Sequence, residues 1–182
     1  LLSYFGRLNY NYKEKYLFEA NLRYDGSSRF YSGHKWGLFP SFSAGWRLSA
    51  EDFMASLASK VENLKLRASW GRLGNQNIGS DYPFSSTVSL GVNYISDGSV
   101  QNGAALTALA NQNISWESAE MTDVGLDFTL WKHLSGSFDY YVKKTNGILL
   151  RLNIPQTMGL TAPYQNAGVV QNKGWDLQLD YH

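Results

Sequence analysis

Apolar and polar residues alternate along seven stretches of the chain, at about 3–12, 16–25, 41–48, 64–72, 122–131, 134–145 and 174–182. A period of two puts successive side chains on opposite sides of an extended backbone, so each stretch is predicted to be a strand. One parity carries Tyr4, Gly6, Leu8, Tyr10 and Tyr12 in the first stretch and Tyr16, Phe18, Ala20, Leu22 and Tyr24 in the second. It continues through Phe42, Ala44, Trp46 and Leu48, then Leu64, Leu66, Ala68 and Trp70, then Thr122, Val124, Leu126, Phe128 and Leu130. The last two stretches add Leu134, Gly136, Phe138, Tyr140 and Val142, and Trp175, Leu177, Leu179 and Tyr181. No charge falls on this set. The opposite parity holds Arg7, Glu19, Arg23, Asp25, Arg47, Lys65, Arg67, Asp123, Asp127, Asp139, Lys143, Asp176 and Asp180.

Two architectures give strands with one apolar and one polar side: a soluble β-sandwich and a membrane barrel. Three features favour the barrel. Several strands approach the roughly nine to eleven residues that a tilted strand needs to cross a bilayer. Aromatic residues gather near strand ends: Tyr12 and Tyr16 flank one turn, and Trp46, Trp131 and Tyr181 lie near others, although Trp131 has the wrong parity for a lipid-facing ring. The connections also alternate in length. Residues 13–15 and 132–133 are short, 49–63 is intermediate, and 26–40, 73–121 and 146–173 are long. The fold expected is all-β, an antiparallel up-and-down transmembrane barrel segment with long outer loops. In the 49–63 connection, Ser49 followed by Asp52 and by Phe53, Met54, Leu57 and Val61 predicts a capped, short amphipathic helix.

Composition changes this picture little. Charged residues are 17% of the chain, below the roughly 25% of an ordinary soluble domain, and aromatics are 15%. A net charge of +1 offers no global attraction for nucleic acid. The absence of cysteine excludes disulfides and thiolate chemistry. No apolar run is long enough for a membrane helix. The opening Leu1-Leu2-Ser3-Tyr4 already reads as strand interior, so a piece of a longer protein is expected.

Six segments carry a resemblance to a known family: Tyr4 to Phe30 (YFGRLNYNYKEKYLFEANLRYDGSSRF), Trp36 to Met54 (WGLFPSFSAGWRLSAEDFM), Leu64 to Gly79 (LKLRASWGRLGNQNIG), Trp116 to Phe128 (WESAEMTDVGLDF), Gly136 to Leu150 (GSFDYYVKKTNGILL) and Asn166 to Tyr181 (NAGVVQNKGWDLQLDY). In this order and spacing they resemble the SusC/RagA family of TonB-dependent transporters, and the departures lie between Asp81 and Ser115. The resemblance implies about seven of the later strands of a 22-stranded outer-membrane barrel with a plugged lumen. Residues 1–182 would then be part of one barrel domain, with 73–121 an extracellular loop and 49–63 a periplasmic turn. It further implies energy-coupled import of glycan fragments or oligopeptides across the outer membrane of a Gram-negative bacterium. The partners would be outer-membrane lipid, a SusD-like surface lipoprotein, and TonB acting through a plug and TonB box that this chain lacks. No cofactor and no covalent chemistry are implied.

Candidate chemistry is sparse. His34, His133 and His182 have no ligand-like spacing. Asp123, Asp127 and Asp139 share one side of adjacent strands, a grouping that a hydrolase could use and that a hydrated lumen wall also produces. The run Gly71-Arg72-Leu73-Gly74 lacks the following helix of a phosphate loop. Trp36, Tyr82, Phe84, Tyr94 and Trp116, in segments predicted to be loops, are the candidate substrate contacts: flat rings beside Asn, Ser, Gly and Asp suit sugar or peptide recognition. Packing of the loops on the rim is the alternative role for each.

Overall fold

The computed structural model describes residues 1–79 and 81–181; His182 lies outside them. In chain order the strands are β1 (Leu2–Tyr12), β2 (Tyr16–Gly26), β3 (Trp36–Arg47), β4 (Val61–Asn75), β5 (Val88–Leu90), β6 (Tyr94–Ser96), β7 (Ser99–Gln101), β8 (Ala104–Leu106), β9 (Glu117–Leu130), β10 (Leu134–Arg151) and β11 (Tyr164–Tyr181). The seven long strands form one sheet, β1-β2-β3-β4-β9-β10-β11, with antiparallel neighbours throughout. The short strands make two separate hairpins, β5 with β8 and β6 with β7. All connections of β1–β2, β3–β4 and β9–β10 lie at one end of the sheet, the short-turn end. Those at 27–35, 76–116 and 152–163 lie at the other; 76–116 is by far the longest, while 48–60, at the short-turn end, is longer than the remaining two.

Register carries the alternation across the whole sheet. Tyr12, Tyr16, Trp46, Leu66, Leu126, Phe138 and Leu177 form one continuous row. On β1–β3 that row is the short-turn border of the apolar face, where Tyr12, Tyr16 and Trp46 stack at 6.4 and 6.3 Å. On β10 and β11 the apolar residues run four positions further, to Leu134 and Tyr181. The apolar band therefore slides about 13 Å across about 29 Å of sheet, as strands inclined to a slab-shaped surrounding require. The opposite border on β1–β3 is a second set of rings, with Trp36 stacked on Tyr24 at 4.8 Å and on Tyr4 at 6.2 Å. Between the two borders Phe42 stacks on Trp70.

A sandwich would bury this face under a second sheet. Instead Leu8 is 63% exposed, Leu177 53% and Leu179 57%. Among the described residues the buried apolar side chains are Phe30, Phe39, Ile78 and Ile114, all outside the apolar row pattern. The seven-stranded sheet is open, with its apolar face uncovered and β1 and β11 at its two edges.

Several boundaries differ from the sequence expectation. β3 begins at Trp36, β4 ends at Asn75, β9 begins at Glu117, β10 ends at Arg151 and β11 begins at Tyr164, so the strands run well past the apolar band. Beyond that band neither side meets an apolar medium, and the alternation that marks a strand fades. Pro40 hid the start of β3, because proline cannot donate to a ladder. It is tolerated since the β3–β4 ladder starts only at Ser41. Gly147, at φ 66°, marks the β-bulge that breaks the β10–β11 register. The predicted short helix takes 3-10 form and lacks the expected cap. Leu48–Ala50 and Asp52–Leu57 are 3-10 turns without side-chain caps, and Ser49 lies inside the first. The segment is too short to meet the cost of α-helix nucleation, and Glu51 is engaged elsewhere.

Candidate functional site

The polar face of the sheet is a wall of paired charges with one cation at its centre. Arg67 on β4 reaches Asp127 on β9 at 2.8 Å and Asp139 on β10 at 2.9 Å, both through Nη2. The second contact spans a whole strand. It is possible because Gly125 lies in register between Arg67 and Asp139, and a Cβ there would collide with the Asp139 carboxylate and the guanidinium. Asp123 lies on the same face, next to Ser69 and Tyr141. Elsewhere on the wall Arg7 Nε donates to Asn21 at 2.7 Å, and Arg23 Nε pairs with Asp25 at 2.8 Å. The structure thus brings Asp123, Asp127 and Asp139 together, but with two of them as acceptors for one guanidinium. Charge-assisted pairs of this kind hold the side chains of a polar wall in place.

The long-loop end is organised by a small core. Phe30, Ile78 and Ile114 are fully buried, with Trp116, Leu149 and Tyr164 packed against them. Asn166 ties three segments: its amide donates to the Ser115 and Gly147 carbonyls, and its oxygen accepts from the Ser115 N–H. Backbone bonds between Thr107, Leu109 and Thr161 strap the tail of the 76–116 loop to the β10–β11 connection. The Arg151 guanidinium lies 4.4 Å from the Tyr164 ring centre.

The five ring candidates separate on this scaffold. Trp36 is a correction: it belongs to β3 and to the apolar face, stacked on Tyr24 and Tyr4, so it is no loop residue. Trp116 is wedged between Phe30 and Phe39, at 5.1 and 5.3 Å, and its indole N–H donates to the Lys35 carbonyl. Gly37 and Gly74 leave the space that Phe39 fills beside it. Tyr82 and Tyr94 stand 62% and 58% exposed. Phe84 joins Tyr82 at 6.1 Å and Tyr31 at 5.7 Å, so Tyr31 enters a ring cluster that sequence reading missed. Its signal was present, an aromatic pair Phe30-Tyr31 in a polar loop, but only the buried Phe30 explains why Tyr31 points outward. Arg29 pairs with Asp81 at 3.2 Å and joins the two loops beside this cluster.

At the short-turn end the chemistry is a staple. The Glu51 carboxylate accepts from the Tyr16 hydroxyl at 2.7 Å, the Trp46 indole at 3.1 Å and the Lys15 ammonium at 3.1 Å. These three bonds, in that order Tyr16, Trp46, Lys15, hold its pKa down to about 2. Glu51 in turn raises the Lys15 ammonium above its ordinary value. Arg47 and Glu14 pair at 3.6 Å alongside. Among the described residues no group of three or more His, Asp or Glu side chains could hold a metal ion.

Comparison with known proteins places this geometry. The chain matches the family described as TonB dependent receptor-like, beta-barrel, over residues 2–182. It is 39% identical over 181 residues to the TonB-dependent receptor P26 of Formosa agariphila, covering 99% of this chain and 18% of that protein. It is 35% identical to the TonB-dependent receptor SusC of Bacteroides thetaiotaomicron, with 99% and 18% covered. Among solved structures it resembles the RagAB peptide importer in its closed-closed state, with a TM-score of 0.86, 30% identity, and 97% of this chain and 19% of that chain covered. The chain therefore spans less than a fifth of the length of these relatives.

Proposed function

The chain belongs to the TonB-dependent receptor-like β-barrel family, and on that premise we propose that the protein it forms part of imports a nutrient across the outer membrane of a Gram-negative bacterium, drawing energy through TonB. One observation carries the reading. A single up-and-down sheet has a ring-bordered apolar face for lipid, a charge-lined polar face for a wet lumen, and its longest connection, 76–116, at the end away from the tight turns. That end faces outward, and the short-turn end faces the periplasm. Residues 73–121 are then largely extracellular, and 49–63 form a periplasmic turn. A SusD-like surface lipoprotein covers the outer end.

Glycan fragments are the leading substrate class. Tyr82, Phe84 and Tyr31 offer adjoining rings beside the charged pair Arg29–Asp81, and Tyr94 offers an exposed ring on the neighbouring hairpin. Rings of this kind stack on sugar faces while polar neighbours hydrogen-bond. Trp116 supports the loops from below. Oligopeptides are the second reading, favoured by the similarity to an importer whose described cargo is peptide.

Two measurements test this on the full-length protein. Cysteines at Asp97 or Gln156 should label with an impermeant reagent on intact cells, and cysteines at Glu14 or His133 only after the outer membrane is broken. The reverse pattern would overturn the orientation. Tyr82→Ala combined with Tyr94→Ala should weaken calorimetric binding of the cognate glycan fragment or peptide while leaving barrel assembly intact. Unchanged binding and unchanged uptake would remove these rings from the site, and uptake independent of TonB would sink the transport reading.

A further inference from the structure

The apolar face ends abruptly in charge on its long-loop side. Trp70, Thr122, Val142 and Lys173 form one row across β4, β9, β10 and β11, and Arg72, Glu120, Lys144 and Gln171 form the next. Both rows have the parity that is otherwise free of charge from the short-turn border to this line. We propose that Lys144 and Lys173 bind a phosphate group of an anionic lipid in the outer leaflet. The leaflet rests on the orientation argued above; the phosphate site rests on the rows themselves.

Three observations support it. Lys144 and Lys173 are diagonal neighbours on adjacent strands, a relation that sets their side-chain origins about 7 Å apart. Both are exposed, and among the described residues neither has a carboxylate within ion-pair distance. Two like charges so placed repel each other unless an anion lies between them. Second, Trp175 is two residues from Lys173 on the same face and 66% exposed, and Trp70 shares the Lys173 row. Indole rings favour the depth of lipid headgroups, so the ammonium groups lie where lipid phosphates lie, with their methylene stems along the apolar band. Third, Arg72 is only loosely held. Its Nε is 3.8 Å from Glu120, with both side chains about two-fifths exposed. Glu120 offsets one cation and leaves the patch net positive by two. A multi-oxygen anion fits the Lys144–Lys173 pair better than a single carboxylate, because each ammonium can reach a separate oxygen.

The experiment uses the full-length protein in detergent, titrated with bisphosphorylated lipid A, chemically dephosphorylated lipid A, phosphatidylglycerol and inorganic phosphate, with binding read by native mass spectrometry. The bisphosphorylated lipid should bind tightest, and Lys144→Gln with Lys173→Gln should weaken it roughly thirtyfold, near fivefold per lysine squared. The double Lys→Arg variant should restore binding, and all variants should keep heat-modifiable migration, which separates lost binding from lost folding. Equal binding of the dephosphorylated lipid, binding indifferent to Lys→Gln, a preference for phosphatidylglycerol, or binding of inorganic phosphate alone would each overturn the proposal. Surface labelling at Asp97 reads the orientation independently. Labelling on intact cells with no lipid A preference discards the lipid site alone. Labelling only in broken cells discards the orientation, and with it the assignment to the outer leaflet.

Discussion

The two ends of this sheet are held together by opposite means. At the short-turn end order comes from polar bonds: one carboxylate, Glu51, joins the β1–β2 turn, the first residue of β2 and the end of β3. At the long-loop end order comes from burial: Phe30, Ile78 and Ile114 bring the 27–35 and 76–116 loops together against Trp116 and Tyr164. The contrast follows from chain length. A three-residue turn has little entropy to lose and needs only a latch, whereas a connection of some forty residues must bury apolar surface to offset its ordering. The same burial leaves Tyr82, Tyr94 and Tyr31 outside the core and exposed.

The largest effect should come from breaking the buried core. Phe30→Ala should cost about 3–5 kcal/mol locally. Because that core organises loops, limited proteolysis should open residues 76–116 while heat-modifiable migration of the barrel persists; loss of the barrel itself would refute the division. Between the two ends, Leu126→Arg on the apolar face should cost roughly 2–4 kcal/mol near the bilayer centre. Asn9→Arg on the polar face should cost much less, and equal losses in assembly assays would remove the assignment of faces.

A smaller cost, about 1–3 kcal/mol from overpacking, is expected for Gly125→Ala, which forces Arg67 and Asp139 apart. It should leave both ends unchanged by hydrogen exchange, with increased exchange confined to β4, β9 and β10. The smallest change should follow Glu51→Gln, which loosens only the latch. Wild-type protein should show the same loosening with acid. The Glu51 pKa is lowered by folding, from 4.5 to about 2, so its contribution is complete above 4.5 and disappears as pH falls through 2. For Lys15 the shift is upward, so its share is complete below the ordinary 10.5 and fades as pH rises beyond it. Exchange in residues 48–60 that did not respond to acid would contradict the latch.

Some of this was legible in the chain before any coordinates. Leu8, Phe42, Leu126 and Leu179 declare their side by alternation alone, and the short turns at Lys13-Glu14-Lys15 and Lys132-His133 stand between clean strands. The ends of β10 and β11 were not legible, because Lys144 to Arg151 and Tyr164 to Lys173 lie where no medium imposes a period of two, and Gly147 shifts the register within them. Trp36 was misread for a related reason: Gly37 and Pro40 look like loop residues until the β2 ladder alongside is known. Tyr82 is an exposed loop ring and Tyr94 an exposed ring at the start of β6, whereas the wedging of Trp116 against Phe30 depends on contact between residues 86 positions apart.

The sequence by itself determined the seven strands and the side each residue faces, because these depend on neighbours one or two positions away. Only the tertiary structure decided that Arg67 reaches Asp139 over Gly125, that Glu51 gathers Tyr16, Trp46 and Lys15, and that Lys144 meets Lys173 at the edge of the apolar band. Those contacts depend on inter-strand register, and register is set jointly by turn geometry, bulges and the burial of a whole face, none of which is local in the chain.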